Sequence, residues 1–180
     1  MRRSGKILVL SHCLLNANSK IKGSAQYGTV FQPVIAYIMG RDIGMLQLPC
    51  PEHSFSGCAR WGQSRDQYDN PFYRNHCRKI LKTIVEQLCD YAEQGYTVAG
   101  ILGIKGSPSC GVEHTYRAQW GGEVGANNAG LPEGRLVAEP GVFMEIFRQM
   151  VAEAALELKF FEVEEENPGN TLHLLKEFLA

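Results

Sequence analysis

A chain of 180 residues with 44% hydrophobic and 21% charged composition carries enough apolar side chains for a sizeable core, and one domain over residues 1–180 is expected. Its formal net charge of -1 argues against a nucleic-acid backbone as partner, because phosphate binding requires clustered Lys and Arg in excess; a small molecule is the expected ligand. Nothing approaches the ~18 apolar residues of a membrane span, and the apolar stretch of residues 7–10 is far too brief for a secretory leader, so a cytoplasmic protein with reduced thiols is expected.

Short apolar runs alternate with helical patterns along the chain, the signature of an α/β protein with a parallel sheet. Residues 6–11 (KILVLS) are continuously apolar, as a strand covered on both faces should be. Val30, Val34, Ile35 and Ile38 have helical spacing, closed by Gly40, and residues 45–49 read as a second strand. Asn70-Pro71 starts a helix that Gly95 stops, with Tyr73, Cys77, Leu81, Leu88 and Tyr91 along one face. Thr97–Ile104 (TVAGILGI) is the third strand, its two glycines predicting close helix approach or a nearby ligand. A helix over residues 141–158, a strand over 159–163 and a C-terminal helix capped near Asn170 complete the pattern. Residues 51–69 and 111–139 show little periodicity and read as long loops forming walls and a lid, whereas most connections run ~4 to 6 residues. The acidic run 164–166 reads as a solvated loop.

Three of the six cysteines, Cys13, Cys50 and Cys110, stand where a predicted strand gives way to a turn. In neighbouring parallel strands their thiols would converge at the carboxyl edge, where open α/β sheets bind ligands. A single cysteine after a strand is usually a small core hydrophobe. Three in equivalent positions, each flanked by turn residues, point instead to a shared metal or cluster site that lacks a fourth cysteine. Because no Cys-x-x-Cys pair occurs, a zinc ribbon or a ferredoxin-type run is not expected, and the fold must assemble the site. Cys58 is either a fourth ligand or an inert exposed thiol. Cys77 and Cys89 lie about 120° apart around their helix and read as core filler.

Glu52, two residues after Cys50, is the candidate for proton transfer, with a helix-cap or ion-pair role as the competing explanation. Ser107 and Ser109 flank Pro108 and can donate to a cluster sulfur or a substrate heteroatom, or merely stabilise the turn. Lys105 is placed to steady negative charge, and His12 and His53, each beside a cysteine turn, are candidates for binding substrate. His76, His114 and His173 have no such context.

The set Cys13-Leu14-Leu15, Pro49-Cys50-Pro51-Glu52 and Ser107-Pro108-Ser109-Cys110-Gly111 resembles the 2-thiouracil desulfurase (desulfidase) family, formerly a domain of unknown function, over roughly residues 6–150. The resemblance implies a Rossmann-like open sheet of about four strands, mainly parallel, flanked by helices, with the site at its carboxyl edge. It further implies a [4Fe-4S] cluster on Cys13, Cys50 and Cys110 with one open iron. The implied reaction is non-redox desulfuration of a thiolated pyrimidine or related thioamide, with Glu52 moving protons. A small thiolated compound is then the expected partner, nucleic acid and membrane are not, and a homodimer is compatible. Departures fall at Asn16, residues 19–23, residues 53–62 and Lys105, all in segments that would form pocket walls.

Two competing functions remain at this level. One is an iron-sulfur or sulfur-carrier accessory protein without substrate turnover. The other, a cysteine-dependent hydrolase using Cys13, would want Arg six residues on, where Ser19 stands.

Overall fold

The computed structural model describes residues 3–119, 121–123 and 133–180. Four strands, β1 (Lys6–Leu10), β2 (Gly44–Gln47), β3 (Thr97–Ile104) and β6 (Phe160–Val163), form one sheet in the order β2-β1-β3-β6, and every pairing is parallel. Leu8, Val9 and Leu10 are fully buried, which explains the unbroken apolar run of β1: in a parallel sheet, crossover helices cover both faces.

The alternation of side chains along the strands divides the core in two. Val9 and Ile101 face helices α5 (Pro71–Glu93) and α6 (Val142–Glu153), where Tyr73, Leu81, Leu88, Phe143 and Phe147 are buried. Leu8, Leu10, Leu102 and Ile104 face α2 (Gln32–Met39) and α7 (Pro168–Phe178) on the other side, with Val34, Ile38 and Leu175. The result is the α/β architecture expected of the sequence, a parallel sheet between two helical layers. Among the described residues no helix is long and apolar enough to cross a membrane.

Both glycines of β3 mark close approaches. Gly100 adopts φ 155 beside a register shift in the β1–β3 ladder, and a Cβ there would stand 2.5 Å from the Phe178 ring. At Gly103 a Cβ would overlap the carbonyl oxygen of Cys110, so the third cysteine turn folds back directly over the strand that precedes it.

Several expected boundaries change. The helix predicted to reach residue 158 stops at Glu153, because Ala155 takes φ 55 and the Leu156 amide turns back to the Val151 carbonyl at 2.9 Å. The cap of α7 is Asn167, whose side chain accepts the Asn170 amide; Asn170 is the residue being capped. The segment 51–69 contains two short helices, α3 (Pro51–Ser56) and α4 (Arg65–Tyr68), in place of a long loop. Within 111–139, strands β4 (Thr115–Arg117) and β5 (Arg135–Val137) pair antiparallel; the remainder of that predicted lid lies partly outside the described residues. Short polar strands and four-residue helices carry too little apolar periodicity to be read.

A Gly103→Ala substitution is expected to cost about 3 kcal/mol, because the methyl meets backbone that cannot rotate away. Gly28→Ala, in open space, should stay within about 0.5 kcal/mol. Urea unfolding of both variants measures the difference, and equal midpoints would refute the close approach.

Candidate metal centre

The three cysteine turns leave adjacent strands at the same edge. After β1 the chain enters a short helix, α1 (His12–Leu15), that carries Cys13. After β2, Cys50 is itself the N-cap of α3: Pro51 occupies the first helical position, and the Cys50 sulfur accepts the His53 amide at 3.4 Å. Beyond β3 the Ser-Pro-Ser-Cys turn is held by its own serine. Ser107 Oγ accepts the Cys110 amide at 2.9 Å while the Ser107 carbonyl accepts that of Gly111 at 3.1 Å. All three thiols are free and line one cavity of about 260 Å³.

Burial sets their chemistry. It pushes the Cys13 thiol up to about 12, with Lys20 opposing and Glu165 reinforcing the rise. Burial also raises Cys50, against the pull of the His53 amide, and raises Cys110 well above the ordinary range, with Cys13 and Cys50 adding to it. Thiols raised in this way keep their protons at neutral pH, and a cationic group that supplies compensating charge is what would let them bind as thiolates. Among the described residues no three His, Cys, Asp or Glu side chains close on a single ion. A ring of soft donors around a cavity fits a polynuclear group better than one atom.

Glu52 stands on the wall of this cavity. Ser109 Oγ donates to its Oε1 at 2.5 Å, and Arg60 Nε approaches its Oε2 at 3.3 Å. The Arg60 side chain is only 3% exposed, and its other nitrogens donate to the carbonyls of Ser19, at 2.6 Å, and Gly57, at 3.1 Å. Near Glu52 the side chains of Tyr68 and Tyr73 are fully buried, their rings 4.5 Å apart. Lys20 and Glu165 also line the cavity and pair at 2.5 Å, and the Tyr27 hydroxyl lies 2.6 Å from Glu165 and 3.1 Å from the Cys13 carbonyl.

No protein-family model matches the chain. Over 107 residues it is 33% identical to Uncharacterized protein MJ0003 of Methanocaldococcus jannaschii, a match that covers 59% of this chain and 68% of that protein. The chain belongs to the family of that archaeal protein. Among solved structures it is similar to the [4Fe-4S]-dependent thiouracil desulfidase TudS, with a TM-score of 0.56 at 19% identity over 96% of this chain and 98% of that one. That likeness is one of fold.

Of the candidate residues in this family member, Cys13, Cys50, Glu52, Lys105, Ser107, Ser109 and Cys110 line the cavity together. Lys105 does so while paired with Glu164 at 2.7 Å. His12 and His53 do not line it. The His12 ring bonds the Leu48 carbonyl at 3.0 Å and so ties the first cysteine loop to the second, and the His53 ring lies 3.5 Å from the Cys58 sulfur. Cys58 itself is exposed and off the cavity, Cys77 is in the core, and Cys89 packs against it. The acidic run is a loop as expected, with Glu166 exposed, but Glu164 and Glu165 are both paired and Glu165 is on the cavity wall. Lys20 and Arg60 lie in the segments 19–23 and 53–62 expected to form pocket walls, although no individual role was read for either, and Glu165 was not expected at the site. Each is joined to its partner by the fold, with no motif to announce it.

A raised thiol pKa means less thiolate at a given pH, and the thiolate is what alkylates. In metal-free protein at pH 8, iodoacetamide should therefore label exposed Cys58 first and Cys13 about a thousandfold more slowly than an ordinary thiol, the Cys13 rate climbing with pH toward about 12. Peptide mass spectrometry reads each site, and equal labelling of Cys13 and Cys58 would contradict the burial argument.

Proposed function

We propose that this protein holds a [4Fe-4S] cluster on Cys13, Cys50 and Cys110 and desulfurates a thiolated pyrimidine or related thioamide, replacing C=S by C=O. The observation that carries the reading is the convergence of three thiols, one buried and two half-buried, and one hydrogen-bonded carboxylate on a single cavity. The shared fold with a [4Fe-4S]-dependent thiouracil desulfidase supports it. When bound, the cluster would supply a Lewis-acidic iron without a cysteine ligand, suited to a soft thiocarbonyl sulfur.

The chain's own residues supply the proton chemistry. Water adds to the thiocarbonyl carbon and the sulfur leaves as hydrogen sulfide, so the balance is one water consumed, one sulfide released and no electrons transferred. Glu52 is the general base that takes the proton from that water, and it returns a proton to the departing sulfur. Ser109 holds Oε1 and Arg60 holds Oε2, so the carboxylate keeps one orientation through both transfers. The Ser107 hydroxyl, 3.3 Å from that of Ser109, offers a second polar group to a ring heteroatom.

Anaerobic reconstitution with iron and sulfide, followed by incubation with 2-thiouracil, tests the proposal. Equal amounts of uracil and sulfide are expected. Glu52→Gln should lower kcat by about 10²–10⁴-fold with iron content unchanged, whereas Cys13→Ala should lose the cluster. Wild-type protein that takes up no iron would remove the cluster and the enzyme together. Iron-loaded protein that leaves thiouracil and other thioamides intact would favour the accessory role.

A further inference from the structure

Beyond Cys110 the chain passes through residues 111–114 before entering β4, and three successive amides there point at one atom. Those of Val112, Glu113 and His114 all donate to Oε1 of Glu162, at 3.0, 2.9 and 2.9 Å. The other oxygen, Oε2, lies 2.7 Å from His114 Nδ1, and the Glu162 side chain is 12% exposed. Successive convergent amides form a nest that favours an anion. Here the anion comes from the chain itself.

The sheet explains why Glu162 reaches the loop. In the β3–β6 ladder Glu162 stands beside Gly103, the position where the Cys110 carbonyl lies directly over the strand. Val112 also crowds this spot, its Cγ2 2.5 Å from where a Cβ at residue 103 would be. The loop thus crosses the Gly103–Glu162 pair, and Glu162 rises to meet its amides. On the other side of Cys110, Ser107 accepts the amides of Cys110 and Gly111, and the Ile104 amide donates to the Cys110 carbonyl at 2.9 Å. Cys110 is therefore fastened from the strand before it by Ser107 and Ile104, and from β6 by Glu162.

We infer that Glu162 is a positioning residue of the metal centre: its carboxylate, filling the nest of residues 112–114, fixes the Cys110 loop and keeps the third thiol on the cavity. The inference rests on the proposal that Cys110 is a cluster ligand. Glutamine keeps an oxygen for the amides and an N–H that the imidazole can accept, so Glu162→Gln should preserve the clamp. Glu162→Ala leaves three donors without an acceptor.

Two readouts separate this from general stability. In cluster-loaded protein, Glu162→Ala should release iron to a chelator about 10–100-fold faster than wild type, and Glu162→Gln within about twofold of it. In metal-free protein, Glu162→Ala should speed amide exchange at residues 112–114 and alkylation of Cys110, while exchange in β1 stays unchanged. Val151→Ala, in the last turn of α6 and so at the opposite end of that helix from the Cys110 loop, provides a variant of lowered Tm whose iron release should match wild type. If Glu162→Ala does not fold, Glu162→Asp, with a shorter reach, takes its place and should show the same changes in smaller degree. Iron release at the wild-type rate from the Ala or Asp variant, or equally fast release from Val151→Ala, would overturn the inference. If wild type binds no iron, the cluster reading fails by itself. The clamp is then decided by amide exchange and Cys110 alkylation, and unchanged values in the Ala or Asp variant would overturn it.

Discussion

Three thiols largely shielded from water at the ends of three adjacent parallel strands are the constraint to which the rest of the site answers. Parallel strands deliver their carboxyl ends to one edge, and β1, lying between β2 and β3, sends its chain into the crevice between their exits. Cysteines at those exits meet whatever their separation in sequence. Burial then makes each thiol reluctant to ionise, Cys50 adds to the effect on Cys13, and both add to it on Cys110. Such a trio gains from a cation far more than a surface cysteine does.

The loops that carry the thiols also brace one another. Arg60 links the second loop to the first through the Ser19 carbonyl, Ser109 links the third to the second through Glu52, and His12 bonds back to Leu48. Tyr27 and Lys20 join the first loop to Glu165, beyond β6. A polar group buried without a partner costs about 1–3 kcal/mol, so these cross-links oppose independent movement of any one turn. Rigidity of this kind is what a multi-ligand centre requires of a scaffold whose ligands come from loops.

What could be read from the sequence was whatever has a local period or a local turn signature. Continuous apolar runs identified the strands, and turn residues around Cys13, Cys50 and Cys110 marked the strand exits. Glu52 and Ser109 were found because they belong to those turns. Adjacency in sequence misled for His12 and His53: at a strand-to-helix junction successive side chains diverge, and these rings point to Leu48 and Cys58 while the cysteines face the cavity. The pairings of Glu165 and Arg60 were invisible for the opposite reason. Their partners are Lys20 and, in part, Ser19, brought to them by the fold across long stretches of chain, and no spacing rule encodes such a pairing.

The pattern of charge around the cavity bears on what enters it. Arg60 is matched by Glu52, Lys20 by Glu165 and Lys105 by Glu164, so among the described residues the walls present paired ions and no uncompensated patch of either sign. Bringing a charged substrate into such a space strips its hydration without offering a counter-ion, because each candidate partner is already engaged, some at 2.5 to 2.7 Å. A neutral heterocycle loses less on entering and can still hydrogen-bond to Ser107 and to the edges of the ion pairs. On the proposed function this favours an uncharged thiolated base over a phosphorylated one. The preference would arise from charges cancelled within the walls, a feature separate from the three thiols.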